Sequence, residues 1–173
     1  MDSTELSVNF NVGDTVVYPL RGVGEIANIE IRNALEYLRI HLSDSDMDIL
    51  LPLHKANNLG LRHLATKAEA NEAIHSLSKA TRYNASADWK ERLQENQELV
   101  KEGSLKSVAY VVNTLYHRSK VKELPALEKR LYDSALSMLV DEAASVLGLS
   151  LEEMKRQIFS VLEPKCTEFQ LLH

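Results

Sequence analysis

The residues able to do chemistry fall into two groups, and only one of them is organised. The single cysteine, Cys166, stands two residues after Pro164 with no local motif to lower its thiol pKa, so a nucleophilic role is not expected. Six histidines, at positions 41, 54, 63, 75, 117 and 173, share no metal-ligand spacing, and no Cys/His cluster accompanies them. Carboxylates are numerous but read as solvated helix faces with intrahelical pairs. The organised group is cationic and aromatic. Trp89, the only tryptophan, is followed by Lys90 and Arg92; Arg118, Lys120 and Lys122 lie close together, and Lys129-Arg130 comes next. From Asp88 to Arg130 there are nine Lys and Arg against seven Asp and Glu, a net +2 in a chain whose remainder is −7. Clustered cations meet phosphates, and an indole flanked by cations suits a minor-groove or unpaired base step. The plainer readings are a solvated connection between helices and a tryptophan packed against its own domain. The expectation is a binding protein without catalytic residues, metal or cofactor.

The elements that must hold these residues change character along the chain. Residues 10–65 follow a period of two. Strands are expected over roughly 14–18, 23–32, 36–42 and 47–51, with a last short one at Leu61–Leu64. Turns are expected at Pro19–Gly24, where Gly22 and Gly24 tolerate positive φ, and at Asn33-Ala34 and Ser43–Asp46. Five short strands in so few residues are enough for a small barrel. From about residue 66 the period becomes 3.6. Helices are expected over Lys67–Leu77, from Asp88 to Gly103, over Ser104–His117, Ala126–Leu147 and Leu151–Leu162. Asp88 with Glu91 and Ser150 with Glu153 have the spacing of capping boxes. Residues 1–9 and Ser78–Ala87 read as loose or linking, and the basic stretch His117–Lys122 reads as an interhelical loop. The fold class is therefore α+β in two domains. A small Tudor- or SH3-like β-barrel spans 1–65, an all-α domain spans 66–163, and 164–173 is a tail.

Composition narrows the setting. The 173 residues are 45% hydrophobic and 26% charged, as in ordinary globular proteins, and the net charge of −5 argues against bulk adhesion to nucleic acid. One cysteine fits a reducing compartment, no apolar run has membrane-spanning length, and Met-Asp-Ser-Thr-Glu is not a signal peptide. A cytoplasmic protein is expected.

Both halves together resemble the CarD/CdnL family of bacterial RNA-polymerase-binding transcription regulators. In the first half the resemblance is carried by Phe10-x-Val12-Gly13-Asp14-x-Val16-Val17-Tyr18-Pro19, Arg21-Gly22-Val23-Gly24, Ile26-x-x-Ile29-Glu30, Glu36-Tyr37-Leu38, Pro52 and Gly60-Leu61-Arg62. In the second it is carried by Trp89-Lys90-x-Arg92, Gly103-Ser104-Leu105-x-x-Val108, Arg118, and Leu124-x-x-x-Glu128-Lys129-Arg130. The resemblance implies a Tudor-like domain that docks on the polymerase β subunit by strand-edge pairing, with Glu30, Ile31, Arg32 and Leu50 at the contact. It implies a helical domain laid on promoter DNA at the upstream edge of the melted region. There Trp89 is the wedge, and Lys90, Arg92, Arg118, Lys129 and Arg130 are candidate backbone contacts. Binding to free DNA should be weak. Leu50 stands where some members carry a basic residue, Glu91 where many do, and Pro125 where the family starts a helix with Ser. The alternative is a protein–protein adaptor whose barrel recruits another partner without promoter contact.

Overall fold

The structure is a computed structural model that describes residues 8–19, 21–79 and 88–163. The expectations for the first residues, for most of the Ser78–Ala87 linker, and for the tail with Cys166 lie outside the described residues. The chain divides into two compact units, Met1–Leu64 and Ala65–His173.

The first unit is one antiparallel sheet of five strands: β1 (Thr15–Tyr18), β2 (Gly22–Arg32), β3 (Leu35–Leu42), β4 (Met47–Pro52) and β5 (Arg62–His63). Their order is β4-β3-β2-β1-β5, so β4 and β5 end the hydrogen-bonded series. Together with the second, all-helical unit this is the Tudor-like-plus-helical architecture expected from the periodicity. Val16, Ile26, Leu38, Ile40, Leu42 and Leu51 point inward and pack with Phe10, Ala56 and Leu61. The register slips between Ile26 and Asn28, and this bulge bends the long β2. Asn33 (φ 51°) and Ala34 (φ 62°) both occupy the left-handed region, the geometry of a tight two-residue hairpin turn. Of the two glycines expected to supply positive φ, only Gly22 does so, at 103°. Gly24 serves by its size, since a Cβ there would stand 2.7 Å from the His41 carbonyl oxygen across the sheet.

The second unit has five helices: α1 (Lys67–Ser76), α2 (Trp89–Glu102), α3 (Leu105–Val121), α4 (Ala126–Leu147) and α5 (Leu151–Leu162). α3 lies at the centre and buries Leu105, Val108, Val111, Val112 and Leu115 against α1 and α4. α4 and α5 spend their apolar faces on the same core through Ala135, Leu139, Ala143, Met154, Ile158 and Leu162. Among the described residues no single helix is long and apolar enough to cross a membrane. Two expectations are corrected here. His117–Lys122 is mostly helix, because α3 runs on to Val121; no helix breaker occurs before Pro125, and Arg118 and Lys120 suit the negative end of the helix dipole. Asp88 caps α2 by accepting from the Lys90 amide at 3.4 Å, and its partner in the expected box, Glu91, is exposed.

Candidate functional site

Two surfaces carry the residues singled out in the sequence, one in each unit. In the sheet, side chains alternate between faces, and β2, β3 and β4 turn Glu30, Arg32, Arg39, His41, Asp48 and Leu50 to the same side. Glu30 is the hub of one cluster. Its Oε2 accepts from Arg32 Nη2 at 2.9 Å, and its Oε1 accepts from Arg39 Nε at 2.5 Å. These guanidinium bonds, Arg39 foremost, hold the Glu30 carboxyl below its ordinary pKa. Arg39 also reaches Asp48 at 3.6 Å, and Asp48 Oδ1 lies 2.8 Å from His41 Nδ1. That bond raises the His41 pKa and lowers that of Asp48. Leu50 is half-buried opposite Arg39 on β4, the strand at the end of the sheet. Ile31 projects from the other face of β2 near the hairpin tip, 74% exposed. The structure thus gathers Glu30, Arg32 and Leu50 on one face and leaves Ile31 off it. It adds Arg39, His41 and Asp48, which the sequence reading passed over as ordinary strand residues.

In the helical unit Trp89 stands partly exposed at the start of its helix. α2 buries Arg92, Leu93, Asn96 and Val100, and Trp89 continues that stripe at the very start of the helix, yet the indole is 38% exposed. Lys90 Nζ sits 5.8 Å from the ring centroid, within cation–π range. Lys90, Lys129 and Arg130 are all exposed.

The structure places Arg92 and Arg118, expected among the phosphate contacts, in the interior of the unit. Both are buried, at 8% and 9% exposure, around Glu128, which is fully buried. Arg92 grips the carboxylate with both arms of its fork: Nε donates to Oε1 at 2.5 Å and Nη2 to Oε2 at 3.0 Å. Arg118 Nε lies 4.0 Å from Oε2. A guanidinium turned onto an interior carboxylate does not offer those donors to a phosphate. No local feature of the chain signals this clamp, because Arg92 and Glu128 are 36 residues apart and meet only in the folded unit. The one available signal was Glu128 at the third position of a helix whose cap is Pro125.

The clamp connects the start of α2, the last turn of α3 and the start of α4. Trp89 and Lys90 stand within a turn of Arg92, and Lys129 and Arg130 follow Glu128 directly. Among the described residues no three His, Cys, Asp or Glu side chains are gathered as for a metal ion. The arrangement offers an aromatic ring with exposed cations in one unit, and a charged sheet face with an end strand in the other.

Residues 10–65 match the family model described as the CarD-like/TRCF RID domain, and residues 72–159 match the one described as CarD, C-terminal domain. YdeB of Bacillus subtilis (strain 168), a candidate transcription factor by its name, is 29% identical over 150 residues, covering 84% of this chain and 97% of that protein.

Proposed function

Because the chain belongs to the CarD/CdnL family of bacterial transcription regulators, we propose that it bridges RNA polymerase and promoter DNA and stabilises the open complex. It acts by binding rather than by catalysis, in the cytoplasm, and needs no cofactor. The sheet unit docks on the polymerase β subunit. β4 lends its outer edge for strand pairing, while Arg32, Glu30 and the neighbouring Leu50 set the partner. Ile31, exposed at the hairpin tip, adds an apolar contact beside that face. The helical unit lies on the duplex at the upstream edge of the bubble, with Trp89 wedged at the minor groove and Lys90, Lys129 and Arg130 on phosphates.

The observation that carries this reading is the exposure of Trp89 at the start of α2 beside Lys90. A large aromatic side chain left partly exposed, flanked by a cation, is poised to stack on a base step. Stabilisation follows from differential affinity: a protein that holds melted promoter better than closed promoter shifts the equilibrium toward melting. No bond is made or broken.

The test of docking is capture of polymerase from native extract by the full-length chain. Wild type is expected to retain polymerase through its β subunit, and Arg32→Glu to lose most of it while keeping the same circular dichroism spectrum. Enrichment of an unrelated protein with polymerase absent would make the sheet unit an adaptor for another partner.

A further inference from the structure

We infer that Glu128 is a positioning residue for the Trp89 wedge: through the Arg92 fork it fixes the start of α2, with its indole, against the start of α4, with Lys129 and Arg130. The inference rests on the reading of Trp89 given above.

Glutamate at the third position of a helix usually folds back onto the cap, and this chain shows the habit twice. Glu69 accepts from the Thr66 amide at 2.8 Å, and Glu153 accepts from the Ser150 amide at 3.2 Å. Glu128 holds the same position in α4, but its cap residue is Pro125, which has no N–H to offer, and α4 has no side-chain cap. Deprived of the local donor, the carboxylate turns inward. There the positive end of the α4 dipole favours it, and it accepts both bonds of the Arg92 fork.

The fork matters because of what it constrains. A lysine would meet the carboxylate as a point charge and fix little more than a distance. The planar guanidinium, bonded through Nε and Nη2, fixes rotation as well. Rotating α2 at Arg92 swings Trp89, one turn away on the same side of the helix. The bidentate pair thus constrains the height of the indole relative to phosphate contacts on α4, with Arg118 of α3 bracing it from 4.0 Å. Stability alone does not account for burying three ionisable groups here, because apolar packing of equal volume generally serves as well.

The experiment uses full-length protein with polymerase and a promoter duplex, and reads the open-complex lifetime at a temperature where circular dichroism shows full helical signal. Arg92→Lys keeps the charge and removes the fork; the lifetime is expected to fall roughly fivefold. Glu128→Gln raises the net charge of this end by one, so arginines acting as direct phosphate contacts would lengthen the lifetime; the positioning role shortens it. Glu128→Asp, which keeps the charge on a shorter arm, should fall between Glu128→Gln and wild type. If Glu128→Gln does not fold, Arg92→Lys decides alone. A folded Arg92→Lys protein with a wild-type lifetime, while Trp89→Ala shortens it, overturns the positioning role and leaves the proposed function standing. A Trp89→Ala protein with a wild-type lifetime removes the proposed function, and the inference with it.

Discussion

The two units of this chain each contain a glutamate held by two arginines, and the two clusters behave differently. Glu30 is gripped by Arg32 and Arg39 on the face of a sheet, where water and salt reach all three. Glu128 is gripped by Arg92 and braced by Arg118 where water reaches almost none of it. Identical chemistry therefore does different work. The exposed cluster contributes little to folding, since each ion is nearly as well solvated by water as by its partner, and it stays free to exchange partners with an incoming surface. The buried cluster has no such freedom: its ions have left water and are held by partners fixed in the interior. An exchangeable surface cluster and a fixed interior one are built from the same residue types, and burial decides which is which.

The sharpest way to break this comparison is to remove each hub. Glu128→Ala removes the carboxylate that Arg92 grips and Arg118 faces, and is expected to destabilise the helical unit by about 3–5 kcal/mol. Glu30→Ala should leave the urea midpoint of the sheet unit unmoved. Equal effects in urea denaturation followed by circular dichroism would erase the distinction.

A second effect concerns the cations that remain available. With Arg92 and Arg118 turned inward, Lys90, Lys129 and Arg130 are left of the five candidate phosphate contacts. The salt dependence of the helical unit's promoter contact should then have a log–log slope of about −3 rather than about −5. The steeper slope would return the buried arginines to the DNA surface. The same count, with the chain's net charge of −5, predicts weak binding to short free duplexes.

The smallest effect tests the exposed cluster by pH. His41 titrates above its ordinary value of 6.5 because Asp48 bonds its protonated ring, and Asp48 titrates below its ordinary 3.8 for the same reason. The His41 contribution is fully present below 6.5 and is lost as pH rises through the raised folded value. The Asp48 contribution is fully present above 3.8 and is lost as pH falls through the lowered one. In NMR titration, Asp48→Asn should return His41 toward its ordinary value. An unchanged midpoint would mean that the pair does not form in solution.

Much of the architecture could be read in advance because it is local. Alternation along Leu38, Ile40 and Leu42 has a period of two in any surroundings, and Leu139 and Ala143 mark a helical face whatever packs on it. Turn chemistry at Asn33 was equally plain. The site was legible only in part. The exposure of Trp89 depends on which neighbours its helix finds, which the sequence alone does not show. Arg92 and Arg118 looked like surface cations because arginine usually is one, and nothing near them in the chain announces a carboxylate that arrives from 36 residues away. Even the end of α3 was misjudged, since a basic cluster resembles a loop when it is in fact the last turn of a helix. Composition names the groups, and only packing says which of them face water.

The most direct test of the central claim is the lifetime of the open complex formed with the Trp89→Ala protein. The account predicts an unaltered circular dichroism spectrum, unaltered capture of polymerase, and an open-complex lifetime shortened about tenfold, the loss expected for one aromatic–base contact. A wild-type lifetime would contradict the wedge. A loss of helical signal would mean that the indole belongs to the core of its own unit.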